Sequence, residues 1–150
     1  MLAAMVLSLL AGLSAETAPA QWKIVKDSRG LCQIAVPGDW DEISESTGAA
    51  VLHDTLTAIA VVTSQPGQAF KPLSEQLQRL LGIRKAALFE NTPRRIFYQD
   101  KFSKQSGEPN VYDSSVPGKS GTCCCHVLVM PSIAEETAKK IALSLKPVEQ

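Results

Sequence analysis

Short β-rich runs separated by turn signals, with two helical segments among them, constrain the fold of this 150-residue chain most strongly. The turn Asp27-Ser28-Arg29-Gly30 lies between runs 22–26 and 31–36, which predicts a hairpin. Further strands are predicted at 49–53, 56–63, 86–90, 94–102, 111–115 and 122–130, with a polar loop at 44–48. Because the connections are short, we expect mostly antiparallel pairing.

The first predicted helix begins at Pro72 and ends at Gly82, positions that suit a helix start and a helix stop. Its apolar residues form one stripe, which we expect to pack on the sheet. The stripe consists of Leu73, Leu77, Leu80 and Leu81.

The second predicted helix begins with a capping box formed by Ser132 and Glu135 and ends before Pro147. Its stripe consists of Ile133, Thr137, Ile141 and Leu145. Strands, helix, strands and helix in that order predict an α+β fold, with two main helices flanking an antiparallel sheet.

The first twenty residues differ from the rest of the chain. Leu2 to Leu13 is almost wholly apolar but is shorter than the roughly 20 residues of a membrane-spanning helix. Ala18-Pro19-Ala20 supplies the small residues of a cleavage site. We therefore predict a signal peptide at 1–20, one domain at 21–150, and an exported protein, periplasmic or secreted. A buried N-terminal helix is the weaker alternative, because polar and glycine residues interrupt its stripe.

Fifteen basic and fifteen acidic residues cancel, which argues against nucleic acid as a partner. The charges are unevenly placed. Residues 30–70 hold five acids and no base, whereas residues 71–104 hold eight bases and three acids. Arg84, Lys85, Arg94 and Arg95 are candidates for a surface that docks a protein partner. The alternative is that these are solvated faces whose charges neutralise each other in the fold.

Cys123-Cys124-Cys125-His126 is the most unusual local pattern in the chain. Side chains alternate along a strand, so Cys123 and Cys125 share one face, while Cys124 and His126 share the other with Met130. The flanking residues are apolar, and we expect both faces to be buried.

Three interpretations of these thiols remain open. The first is a disulfide between Cys32 and one of Cys123, Cys124 and Cys125, which an oxidising compartment favours. The second treats the thiols as small core residues. In the third, Cys124 and His126 bind a soft metal such as Cu(I).

The sequence predicts no enzyme and no cofactor. A catalytic thiol needs a base within reach and some solvent access. His53 and His126 are the available bases, but residues in a buried strand lack solvent access. Gly118-Lys119-Ser120 resembles part of a phosphate-binding loop, but Asp113 replaces its first glycine and a strand follows instead of a helix.

Two segments carry a resemblance to a known family. Residues 31–40 resemble the strand followed by Pro-x-x-Trp that opens PsbP-like proteins, and residues 138–147 resemble their closing helix. The resemblance implies an α-β-α sandwich around an antiparallel sheet, and proteins that act mainly in binding or assembly without a shared catalytic motif. We therefore expect a non-enzymatic exported binding or assembly module with a protein partner, or alternatively a soft-metal-binding protein.

Overall fold

The computed structural model describes residues 21–46, 49–53, 59–100, 110–129 and 134–149. The predicted signal peptide at 1–20 lies outside the described residues. The strands are β1 (Trp22–Lys26), β2 (Cys32–Pro37), β3 (Asp41–Ser46), β4 (Ala49–His53), β5 (Ile59–Pro66), β6 (Ala87–Asn91), β7 (Ile96–Asp100), β8 (Asn110–Pro117), β9 (Gly121–Val129) and β10 (Lys146–Pro147). The helices are α1 (Glu75–Ile83) and α2 (Glu135–Leu143).

The strands form two antiparallel sheets. The large sheet has the order β3-β4-β5-β9-β8-β7-β6, and the small sheet has the order β1-β2-β10. Every strand pair is antiparallel. The predicted α+β class is therefore confirmed, as is the strands-helix-strands-helix order. In the part of the chain that the structure describes, no helix is long and apolar enough to cross a membrane.

The β1–β2 hairpin forms as predicted, and its turn requires Gly30, whose φ is +65°. Gly121 opens β9 where the backbone of β5 passes so close that a Cβ would lie 2.1 Å from the Gln65 oxygen. The prediction of a polar loop from Ser44 is wrong, because Asp41–Ser46 pairs with β4 as the terminal strand of the large sheet. Cross-strand pairing thus overrides the polar character of this segment.

One face of the large sheet, which we call the covered face, forms the core against the small sheet and α2. Its central residues are buried: Ala60, Val62, Phe97, Tyr112, Cys123, Cys125 and Val127. Ile34 and Val36 from β2 and Ile141 from α2 pack against them. Each sheet therefore buries one apolar face, as two-layer packing requires.

The disulfide between Cys32 and Cys123 joins the small sheet to the large one across 91 positions of sequence. Beside it, the buried Asp27 carboxylate accepts hydrogen bonds from the Leu31 and Cys32 amides and from the Ser64 hydroxyl of β5. A covalent link and a fully bonded carboxylate thus fix the two sheets to each other at one end of the core.

α2 does not begin as predicted. Its N-cap is Ala134, and Ser132 of the expected capping box lies outside the described residues. The Glu135 carboxylate instead accepts hydrogen bonds from the Tyr112 hydroxyl and the Gln99 amide of the large sheet. The glutamate therefore anchors the helix to the sheet. Pro147 follows the end of α2 and lies in β10, which pairs with β2.

α1 begins later and is less buried than its leucine stripe predicts. Ser74 caps it by accepting a hydrogen bond from the Leu77 amide, so Pro72 precedes the helix. Gly82 lies inside the helix, and Lys85 takes the left-handed conformation after its end, with φ of +60°. Leu77 and Leu80 are 47% and 48% exposed, and α1 contacts the terminal strand β6. The expectation that the stripe packs on the sheet is wrong for these two leucines.

Candidate functional site

The second face of the large sheet, which we call the open face, carries a row of polar side chains at its centre. The strand register places His126 of β9 opposite Asp113 of β8, and Asp113 opposite Tyr98 of β7. Val61 of β5 lies on the other side of His126. Directly opposed residues project from the same face of a sheet, so the four side chains form one continuous row.

Asp113 is the centre of this row. It is only 9% exposed, and its carboxylate contacts Nδ1 of His126 and accepts a hydrogen bond from the Tyr98 hydroxyl. The hydrogen bond to Asp113 raises the pKa of His126, burial acts in the opposite direction, and the negative charge of Asp113 raises it further. Burial raises the pKa of Tyr98, and so does Asp113, so Tyr98 stays a neutral donor. The aspartate therefore orients two neighbouring side chains.

A second ion pair lies one row away along the strands. Arg84, which follows α1, pairs with Asp100 of β7, two residues from Tyr98. Asp100 is almost buried, whereas the Arg84 side chain is 56% exposed. Both residues influence the pKa of Tyr98, Asp100 raising it and Arg84 lowering it. The two ion pairs thus form one polar cluster, with Tyr98 between them.

Partly buried apolar side chains surround this cluster. Ile59 and Val61 of β5 project from the same face, as do Val111 of β8 and Leu128 of β9. α2 packs on the opposite, covered face, and α1 contacts β6 at the edge of the sheet. Segment 68–71 covers one end of the open face, at Ile96 and Cys124. The rest of its central strands offers a mixed apolar and polar surface with no helix of the described residues over it.

His126 corrects the expectation that both faces of β9 are buried. Its side chain is 51% exposed, and no helix of the described residues contacts β9 on that face. Cys124 projects from the same face and is buried, and its sulfur accepts a hydrogen bond from the Ser115 hydroxyl at 3.6 Å. Burial raises the pKa of the Cys124 thiol, which is opposite to the shift that a nucleophilic thiol needs.

The alternation places Cys124 and His126 on one face, as the metal hypothesis requires. Asp113 occupies Nδ1 of His126, which leaves Nε2 for a further interaction. Met130, the third residue of that hypothesis, lies outside the described residues. Among the residues that the structure describes, no group of three or more His, Cys, Asp and Glu side chains has the geometry of a metal site.

Two of the four cysteines form a disulfide, and the other two are free thiols. Cys123 is the partner of Cys32, and Cys124 and Cys125 are free and buried. Cys125 is wholly buried on the covered face, where burial raises its pKa, so it behaves as a small core residue.

The four predicted docking residues do not form one surface. Arg84 and Lys85 precede β6, whereas Arg94 and Arg95 lie at the opposite end of that strand, about 13 Å away at the usual rise per residue. Arg95 donates to the Ser114 hydroxyl and to the carbonyl oxygens of Leu143 and Leu145. Its guanidinium therefore holds the end of α2 against the sheet, and only Arg84 belongs to the open face.

Sequence reasoning missed Asp113, Tyr98 and Asp100. Each is a polar residue within a predicted strand, and a buried carboxylate in a strand is a signal of pairing. The partners come from strands whose register the sequence does not reveal.

Comparisons with known proteins add fold information alone. No protein-family model matches the chain, and no curated protein matches it. A crystal structure from Bacteroides thetaiotaomicron is similar, with a TM-score of 0.50 and 15% sequence identity. The similarity covers 79% of this chain and 46% of the other, so this chain spans about half the length of that protein. At this identity the likeness supports the α+β architecture and carries no activity across.

Proposed function

We propose that this protein is a non-enzymatic binding module that docks a protein partner on the open face of its large sheet. The observation that carries the proposal is the row of Val61, His126, Asp113 and Tyr98, in which Asp113 orients its neighbours and over which no helix of the described residues lies. An exposed surface that mixes apolar and oriented polar groups is typical of interaction sites. Arg84 adds a cation at the margin of this surface.

The charges within the cluster favour recognition over catalysis. Asp113 holds His126 and Tyr98 in fixed positions, so binding costs little additional ordering of side chains. Among the described residues, Cys124 is the thiol that shares a face with His126. It is buried and bonded to Ser115, and burial raises its pKa, which disfavours the thiolate. This chemistry suits a surface that presents hydrogen-bond donors to a partner.

Site-specific photocrosslinking in cells tests the proposal. A photoreactive residue at Val61 reports contacts on the open face, and the same residue at the exposed Glu136 of α2 reports the opposite side of the molecule. We expect one discrete crosslinked protein from position 61 and none from position 136. Equal crosslinking from both positions, or crosslinking from position 136 alone, would contradict the proposal.

We further propose that the protein is exported with residues 1–20 as its signal peptide. The apolar run, the Ala-x-Ala pattern and a disulfide between Cys32 and Cys123 support export. The intact mass of the mature protein tests this, because cleavage after Ala20 leaves Gln21 as the first residue. A mature protein that retains the segment would contradict it.

Membership of the PsbP-like family is a further part of the proposal. Two features support it. Trp40, which follows strand β2, is buried, and the closing segment ends in Lys146-Pro147. In the α-β-α layout that the family implies, α1 would be the second helical layer, limited to β6 at the margin of the open face. A crystal structure with α1 on the covered face, beside α2, would contradict that layout.

Soft-metal binding by Cys124 and His126 is the second candidate function. The observation in its favour is the contact of Asp113 with Nδ1 of His126, an arrangement that orients the other ring nitrogen toward a metal. Anaerobic Cu(I) titration against a chelator tests it. The candidate predicts stoichiometric binding that is lost in Cys124→Ser and kept in Cys125→Ala, and equal binding by both variants would exclude it.

A further inference from the structure

The two ends of the large sheet carry opposite charge. The acidic edge is the terminal strand β3 and the turn before it, with the exposed residues Asp39, Asp41 and Glu42, beside which the Lys23 ammonium donates a hydrogen bond to the Trp40 carbonyl oxygen. The basic edge is α1 and the residues after it, beside the other terminal strand, β6, with the exposed cations Arg79 and Lys85 and one acid, Glu75, which pairs with Arg79 at 3.8 Å. Among the described residues, the exposed charges of the two edges are therefore mainly of opposite sign.

The exposed charges of the two edges lie too far apart to pair with each other within one molecule. Seven strands at the usual spacing separate the two edges by roughly 29 Å. Exposed charges are screened within about 8 Å at physiological ionic strength. Each edge therefore presents its charge to solvent and to neighbouring molecules.

The basic edge also presents apolar surface. Leu77, Leu80 and Ile83 of α1 are 47%, 48% and 77% exposed, and no residue of α1 is buried. A helix that keeps its leucine stripe in solvent leaves apolar area available for association.

The acidic edge contains a terminal strand that a covering element would protect. β3 has a paired neighbour on one side only, and terminal strands are commonly protected by a covering helix, by charges or by a bulge. The β3–β4 register shifts between Glu42 and Ser44, which disfavours pairing with another strand. A helix is therefore a better occupant for this edge than a further strand.

We propose that the protein associates with itself head to tail, with the basic edge of one copy docked against the acidic edge of the next. A second copy of this chain supplies the occupant that each edge lacks. Its α1, an apolar helix flanked by cations, lies against β3 of the first copy. In the same way, the acidic edge of one copy lies against α1 of the next. Such a contact joins two different surfaces, so it continues from copy to copy instead of stopping at a two-fold dimer. The proposal uses surfaces other than the open face and is independent of the proposed function.

Sedimentation velocity over a range of protein and salt concentrations tests the proposal. We expect the average mass to rise with protein concentration at low ionic strength and to return to the monomer mass at high ionic strength. The acidic-edge variant, Asp41→Lys with Glu42→Lys, and the basic-edge variant, Arg79→Glu with Lys85→Glu, should each weaken association by about tenfold or more. The control Glu136→Lys, on α2, should leave it unchanged.

Mixing the two edge variants distinguishes a head-to-tail contact from any other. Each variant keeps one unaltered edge, so an equimolar mixture should associate under conditions where neither variant associates alone. Four outcomes would overturn the proposal: a wild-type protein that stays monomeric at low salt, association that persists in either edge variant alone, association that the control also weakens, or a mixture that stays monomeric.

Discussion

Asp113 shows how one residue organises the surface around it. Its carboxylate is nearly buried and serves both His126 and Tyr98, so a single side chain sets the orientation of two neighbours on different strands. A buried carboxylate is stable only when its hydrogen bonds are made, which ties the order of the open face to the stability of the fold. A substitution of Asp113 should therefore have its most direct effect on the His126 ring.

The Asp113–His126 pair predicts a pH dependence of stability. The folded-state pKa of His126 lies above its ordinary value of about 6.5. The pair therefore stabilises the fold fully below that pH, and this contribution is lost as pH rises through the raised pKa. Because His126 is half exposed, the effect is modest.

Asp113→Asn should lower the pKa of His126 and flatten that part of the stability profile. NMR titration of the His126 ring and urea unfolding at several pH values measure the two effects. The exposed Asp41→Asn is the matched control and should leave both unchanged. A His126 pKa that does not move in Asp113→Asn would contradict the role assigned to the aspartate.

The free thiols should be unreactive in the folded protein. Burial raises the pKa of Cys124 and Cys125, so alkylation near neutral pH is expected to be slow for both. After unfolding without a reductant, mass spectrometry should find two alkylated cysteines, and after reduction all four. Four alkylated cysteines without reduction would contradict the Cys32–Cys123 disulfide.

At the scale of elements, the two helices are held very differently. α2 buries Ala138, Ile141 and Ala142, and side chains from the sheet bond it at both ends. α1 buries none of its residues. Similar leucine and isoleucine spacing thus leads to a core helix in one case and a surface helix in the other.

Substituting one leucine near each helix tests this difference in burial. Leu145, which follows α2, is 1% exposed, and Leu145→Ala should lower the free energy of unfolding by about 2–5 kcal/mol. Leu80 of α1 is 48% exposed, and Leu80→Ala should cost less than about 1 kcal/mol. Comparable losses in urea unfolding would mean that α1 is packed like α2.

Arg95 and its neighbour Arg94 form a second matched pair. Arg95→Ala removes hydrogen bonds to Ser114 and to two carbonyl oxygens at the end of α2, and should destabilise the fold by about 1–3 kcal/mol. Arg94 is exposed, and Arg94→Ala should change stability by less than about 0.5 kcal/mol. If the two thermal unfolding curves coincide, Arg95 does not hold α2 to the sheet.

At the scale of the whole molecule, local patterns were sufficient for most of the architecture. The β1–β2 turn, the alternation along β9 and the amphipathic spacing of α2 are properties of neighbouring residues, and each appears in the structure. The same alternation correctly places Cys124 and His126 on one face. Which face a second layer covers depends on the packing of distant segments, so the exposure of His126 could not be read from β9 alone.

The candidate site could not be predicted from local sequence patterns. Asp113, His126 and Tyr98 come from three strands, and their meeting depends on the register of two strand pairs. A shift of one residue in either pair would turn Asp113 or Tyr98 to the other face. For the same reason, four arginine and lysine residues that are close in sequence are divided between the two ends of β6.

The central claim is that the open face around Asp113 and His126 is the surface that binds a protein partner. The affinity of the purified protein for the partner crosslinked at position 61 tests it most directly. We predict that Val61→Arg weakens binding by about tenfold or more, at least 1.4 kcal/mol, while Glu136→Arg on α2 leaves the affinity unchanged. Equal affinity of the wild-type protein and Val61→Arg, or a loss confined to Glu136→Arg, would contradict the claim.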